Sequence, residues 1–331
     1  MKRIPQLDSV RAVAILAVFV HHAVGVMLLW SGVDLFFILS GFLITNILIE
    51  SKHHSLAGYF SRFYERRARR ILGPYLLTLI VVSLFFGTAW LSHWYLYILF
   101  TNFLIPLHLN IPQAFDPLWS LAVEEQFYMV WPFAVFFLSV RRLKHLSIAL
   151  ILIAPILRGT ILFSDTWPIY MLTPFRMDLL ALGALLSLGW RKRRDLIERY
   201  GLTISLLCMG GGLAALVVEG HFGVTRFANT RLGNFAVYEA TLVFWFGFLL
   251  YALAGKYVGW LRIAPLRYIG RISYTMYLIH FMIVLLLRGK LHQPMLAISS
   301  LILTVIYAST SWFLMEKPLL EQGNKQRALA A

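Results

Sequence analysis

Apolar segments long enough to cross a bilayer recur along the whole of this chain, and that recurrence leaves few folds open. Hydrocarbon offers no partner to a backbone N–H or C=O, so each such segment must satisfy its own hydrogen bonds as a helix. The expected fold class is therefore all-α, a polytopic membrane protein of about ten transmembrane helices. At 60% hydrophobic and 14% charged over 331 residues, the chain carries far more apolar material than a soluble core needs.

The ten segments fall at about 9–29, 32–50, 71–90, 118–140, 146–162, 176–190, 201–219, 236–254, 272–287 and 296–314. The basic residues set their orientation. With the amino terminus cytoplasmic, the inner segments hold Lys2 and Arg3, then Lys52 to Arg70, Arg141 to Lys144, Arg191 to Arg199, Lys256 to Arg271, and Lys317 to Arg327. The outer loops hold only Arg226, Arg231, Arg288 and Lys290. Segment 91–106 is also apolar, but a crossing there would turn the Arg191–Arg194 cluster outward. It is placed outside with the rest of 91–117, partly in the interface, with Trp90 and Trp94 as anchors.

The formal charge of +15 is spread over the inner loops, where orientation and contact with anionic lipid account for it; no nucleic-acid module is visible. A single cysteine, Cys208, excludes an intrachain disulfide and argues against a cysteine-rich metal site. The first residues are too short for a removable signal peptide. The reading is one domain over 1–331, with both termini cytoplasmic and no fused soluble catalytic domain.

Within the first span, Arg11 and His22 are eleven positions apart, so they share nearly one helix face and stand about 16 Å apart along the axis. A titratable imidazole inside the hydrocarbon is read first as a functional site, with a buried histidine bonded to a backbone or serine neighbour as the alternative. Folding the first two spans about Ser31 brings Ser40 and Gly41 opposite His22, where small residues serve close helix packing or leave room for a thin ligand. Asp34 comes out near the outer face as a cap or interhelical hydrogen-bonder. The basic stretch from Tyr59 to Arg70 reads as an amphipathic interfacial helix. Its Arg67 and Arg70 share a face at i, i+3, and a guanidinium fork suits phosphate oxygens.

The fourth span opens at Asp116-Pro117-Leu118-Trp119-Ser120 and carries Glu124 and Glu125 inside the membrane. Counted from the outer face, Glu124 and His22 reach similar depths, which makes a carboxylate–imidazole contact plausible. Glu125 is the natural partner of Arg158 or Arg176, while Arg176 and Asp178 form either a structural pair or part of a lining. His280 either stands near the site or bonds a helix neighbour, and the neighbour is preferred. Trp94, Trp167, Tyr170 and His221 on outer elements are stacking groups for sugars or interface anchors, with anchoring the better prior.

An ordered set of short motifs gives these residues a context. Leu7-Asp8-Ser9-Val10-Arg11 with His21-His22, Gly32 to Phe37 with Ser40-Gly41-Phe42, the arginines ending at Arg70-Ile71, and Trp119-Ser120-Leu121 with Glu124 resemble the membrane acyltransferase family 3. Arg271-Ile272-Ser273-Tyr274, Tyr277 to His280, and Met315-Glu316-Lys317-Pro318 are similar to its late segments. One departure is Gly73, which sets Pro74 one residue later than expected.

The resemblance implies a multi-pass enzyme of the bacterial plasma (inner) membrane that takes an acyl group, usually acetyl, from cytoplasmic acyl-CoA. It passes that group to a hydroxyl of a surface polysaccharide, peptidoglycan or other glycosylated molecule. Its motifs map to Arg11, Arg67 and Arg70 as the acyl-CoA-binding arginines, and to His22 and Glu124 as the catalytic pair. His22 then acts as general base or transient acyl carrier, with Glu124 orienting it. Acetyl-CoA is a donor substrate, with no tightly bound cofactor and no metal expected. The expected partners are the donor, a glycan or lipid-linked saccharide acceptor, membrane lipids and polysaccharide-biosynthesis proteins, and no nucleic acid. Two rival classes remain: a proton-coupled transporter, and a non-catalytic partner of a polysaccharide export complex.

Overall fold

The computed structural model describes residues 4–322. Lys2, Arg3, Lys325 and Arg327, which were counted among the inner basic residues, lie outside the described residues. Each of the ten apolar segments is helical: α1 Gln6–Val24, α2 Gly32–Ser51, α3 Leu56–Phe86, α4 Leu118–Phe137, α5 Val140–Thr160, α6 Met177–Lys192, α7 Arg194–His221, α8 Arg231–Ala254, α9 Ala264–Leu287 and α10 Met295–Ser311. Among the described residues, seven helices are long and apolar enough to cross a membrane: α1, α2 with the turn before it, α3, α7, α8, α9, and α10 with its continuation to Gln322. The protein is a multi-pass membrane protein. Residues 89–115 form only short helical turns, none near the length of a span. There Trp90 is half-buried and donates to Ser83 Oγ, whereas Trp94 is exposed.

Glycines set the closest helix crossings. A Cβ on Gly41 would collide with the Leu180 carbonyl, and one on Gly183 with the Ile38 carbonyl, so α2 and α6 pack backbone to backbone. Gly41 thus serves close packing, but against α6 and not α1. Gly270 sits against the Asp8 carbonyl in the same way, which lays α9 alongside α1.

The α1–α2 hairpin differs in register from the fold about Ser31. Helix α1 ends at Val24 on Gly25, whose φ of 88° is the left-handed conformation that glycine adopts without penalty. A 3-10 turn, Met27–Ser31, then doubles back, so a Cβ on Gly32 would meet the Ala14 carbonyl at 2.8 Å. The return begins earlier than the sequence suggested, and Ser40 lies nearer Arg11 than His22.

The amphipathic stretch and the third span are one helix, α3, running through Pro74. Gly73 is where α3 meets α10's continuation: a Cβ there would stand 2.6 Å from Met315 Sδ.

Buried ion pairs lock α2, α5, α6 and α8 together. Arg176 pairs with Asp34, which also accepts from Thr241 at 2.8 Å. Arg158 pairs with Asp178 at 2.6 Å and with Glu239. Asp34 is an interhelical hydrogen-bonder, as read. Arg176 and Asp178 each take a different partner, and Glu125 pairs with neither arginine. Three-way packing of this kind is worth its desolvation only when every charge is met.

Candidate active site

Two cavities enter the bundle from opposite ends of α1. The first, about 770 Å³ counted to its open mouth, is lined by Arg11, Arg67 and Arg70 together with Ser40, Ser120, Glu124, Tyr128 and Tyr277. The i, i+3 spacing on α3 turns Arg67 and Arg70 to one side, and the α1–α9 contact brings Arg11 to them. Arg67 lies 3.5 Å over the Tyr128 ring and 3.7 Å from Glu125. Arg11 donates to Asp8 at 3.1 Å. Arg11 and Arg70 also line an adjoining recess with Arg271 and Lys317. On another side Arg67 and Arg70 border a recess with Arg62, Arg66 and Arg69. The result is a dense field of guanidinium groups at one end of the molecule, suited to several phosphates.

The second cavity, about 700 Å³, opens at the other end and holds His22 with His21, Trp119, Trp167, Tyr170, Asp116 and Arg226. His22 Nδ1 lies 2.9 Å from His280 Nε2, and His280 Nδ1 lies 2.8 Å from the Tyr277 carbonyl. A carbonyl only accepts, so His280 carries a proton on Nδ1, and as a neutral ring it accepts at Nε2. His22 then donates from Nδ1, and its Nε2 keeps a lone pair with no hydrogen-bond partner among the described residues.

Tyr277 lines both cavities and forms the wall between them. Its hydroxyl lies 2.6 Å from Ser120 Oγ and 3.1 Å from the Pro117 carbonyl, tying α9 to the start of α4.

Of the residues singled out in the sequence, Arg11, Arg67, Arg70 and Glu124 meet in the first cavity, and His22 stands in the second. Glu124 does not meet His22. Its Oε1 accepts from Ser40 at 2.5 Å, and where a carboxylate was expected on one ring nitrogen of His22, it is His280 that meets Nδ1. The earlier hairpin return is the cause, since it moves Ser40 and its partner Glu124 toward Arg11. His280, preferred as a neighbour-bonded residue, makes that bond to Tyr277 and also reaches the site. Its signal in the sequence was its place as an ionisable group deep in a span. Trp167 and Tyr170 turn into the His22 cavity, whereas Trp94 and His221 are exposed. Arg226 and Asp116 were missed as site residues because each sits on a loop whose path only the fold sets.

The molecule is a helical membrane bundle with a cationic cavity at one end and a histidine-bearing cavity at the other. The chain belongs to the membrane acyltransferase family 3: that family's acyltransferase domain matches residues 4–315. It is 30% identical over 367 residues to the peptidoglycan O-acetyltransferase OatA of Listeria monocytogenes, covering 97% of this chain and 56% of that protein. It is 26% identical over 372 residues to the O-acetyltransferase OatA of Staphylococcus aureus, covering 97% and 58%. A putative peptidoglycan O-acetyltransferase, YrhL of Bacillus subtilis, is 27% identical over 362 residues, covering 97% and 55%. The chain thus spans just over half the length of these relatives. No solved structure matches it.

Proposed function

We propose that the protein is an O-acyltransferase, moving an acetyl group from acetyl-CoA to a hydroxyl of a cell-surface glycan. The observation that carries this reading is the pair of cavities meeting at Tyr277, one cationic and one holding an imidazole with a free lone pair. Arg11, Arg67 and Arg70, with Arg271 and Lys317 beside them, hold the phosphates of the donor at the cytoplasmic end. The pantetheine arm runs along α1, and the thioester passes Tyr277 to reach His22. The two termini lie on the donor side, in the inner membrane of a bacterium.

In the direct route His22 Nε2 removes the acceptor's hydroxyl proton, the oxygen attacks the thioester carbonyl, and the C–S bond breaks. The CoA thiolate then takes the proton from the imidazolium. In the two-step route Nε2 itself attacks and the C–S bond breaks, releasing CoA thiolate; the acyl-imidazolium then passes its acyl group to the acceptor oxygen, whose proton goes to the thiolate as the neutral imidazole is restored. His280 fixes the tautomer that both routes need. Glu124, bonded to Ser40, shapes the donor cavity in place of the orienting role first given to it. Peptidoglycan, named for two of the relatives, is one acceptor in the proposed class.

The test uses inverted membrane vesicles, acetyl-CoA labelled on the acetyl group, and wild type beside His22→Ala at matched folded levels. Label should move to glycan in the wild type alone. Equal label in both would remove His22 from the mechanism, and none in either, with acceptors present, would sink the acyl-transfer reading.

A further inference from the structure

Among the described residues, Arg226 is a buried cation without a counter-ion. Its side chain is 5% exposed, and its guanidinium lies 4.8 Å over Trp30, 4.1 Å over Tyr170 and 4.1 Å over Phe227. Among the described residues no carboxylate lies within ion-pairing distance, no carbonyl accepts from it, and its Nε has no hydrogen-bond partner. The other two deep arginines on this half of the molecule are treated differently: Arg158 has Asp178 and Glu239, and Arg176 has Asp34. Ring faces offset only part of the cost of taking a guanidinium out of water, and a fork of five donors is left unspent.

The location of this group is the second observation. Arg226 lines the same cavity as His22, together with Trp119, Trp167 and Tyr170, flat rings on which sugar faces stack. The single carboxylate in that lining, Asp116, is not paired with it. A site that aims an unpaired guanidinium into a space lined by aromatic rings, beside the reacting imidazole, is built to receive an anion that arrives with the substrate.

We infer that Arg226 is the receptor for an oxyanion, a carboxylate or phosphate, carried by the acceptor saccharide, so that the acceptor is an acidic glycan. The inference rests on the acyl-transfer reading for the word acceptor, but the site itself can be tested without a donor. The aromatic lining favours a sugar-borne anion over a lipid headgroup. Bidentate pairing would hold the saccharide in one orientation and so select which hydroxyl faces His22.

The full chain in nanodiscs of zwitterionic lipid is titrated, with no acyl-CoA present, with methyl glucuronide, methyl glucoside and inorganic phosphate. Quenching of tryptophan fluorescence reads occupancy, since Trp30, Trp119 and Trp167 line the cavity. The glucuronide should bind about 10-fold more tightly than the glucoside, as a charge-assisted pair implies. Arg226→Gln should reduce that ratio to about one and leave the glucoside unchanged, while Arg226→Lys, which keeps the charge and loses the fork, should retain part of it. Equal binding of the two sugars by the wild type overturns the proposal, as does a preference that survives Arg226→Gln. So does phosphate binding as tightly as glucuronide, or phosphatidylglycerol in the nanodisc displacing it. If Arg226→Gln does not fold, the Lys variant decides: an undiminished ratio there counts against fork pairing. A glucuronide preference in a protein that transfers no acetyl would leave this site standing and remove the acyl-transfer reading alone.

Discussion

His22 Nδ1 and His280 Nε2 stand 2.9 Å apart, joining two helices whose sequence positions differ by 258. The Tyr277 carbonyl behind His280 fixes the proton on its Nδ1, and through it the proton on His22 Nδ1. A backbone carbonyl therefore leaves Nε2 as the His22 nitrogen with the lone pair, the atom that the proposed transfer uses as base or nucleophile. In that proposal His280 is a positioning residue.

Replacing His280 should then cost turnover and not donor binding. His280→Leu removes the acceptor at Nε2 and should lower kcat about 100-fold, within the range of a misoriented general base, with KM for acetyl-CoA unchanged. His280→Gln keeps an acceptor near that position and should recover about 10-fold of the loss. Initial rates over a range of acetyl-CoA concentrations check both. A rise in KM with kcat intact would assign His280 to packing.

The arginine field should show the opposite split. Arg70 lines three recesses at the cationic end and is absent from the lining of the His22 cavity. Arg70→Gln should raise KM for acetyl-CoA about 10-fold, the worth of one hydrogen bond to a charged group, and leave kcat within about 2-fold. The same kinetic series reads this, and an unchanged KM would take Arg70 out of donor binding.

Asp34 and Arg176 are both buried and bonded to each other. Arg176→Met strands a carboxylate and should cost about 3–5 kcal/mol, a loss that thermal unfolding in detergent detects. Adding Asp34→Leu removes the stranded charge and should restore most of that stability. A double variant no better than the single one would show that the pair is needed for its geometry as well as its charge balance.

Asp116 lies in the loop before α4, and burial pushes its carboxyl up to about 7 from 3.8. Between those values the folded protein holds a proton that the unfolded chain has released, so this group's contribution is full below 3.8 and lost as pH rises through about 7. Asp116→Asn cannot ionise and should gain Tm over wild type as pH is raised from about 5 to about 8. A constant Tm difference across that range would mean that the carboxyl is solvated in the folded protein.

What the sequence determined by itself was everything that depends on local pattern. Partition into a bilayer is decided residue by residue within a segment, so where the helices lie could be read from apolar runs, including the seven among the described residues that are long and apolar enough to cross. The i, i+3 spacing of Arg67 and Arg70 and the eleven-residue spacing of Arg11 and His22 follow from helix geometry alone, and each holds in the structure. Tertiary structure decided which helices are neighbours and at what height. Gly25 starts the α1–α2 return early, which carries Ser40 and Glu124 to the arginines and leaves His22 to His280. The loop before α8 brings Arg226 into the lining of the His22 cavity, a long way in sequence from His22. These outcomes turn on close backbone crossings at Gly41, Gly183 and Gly270, where the shape of one helix is matched by another far away in the chain, and no local periodicity records that match.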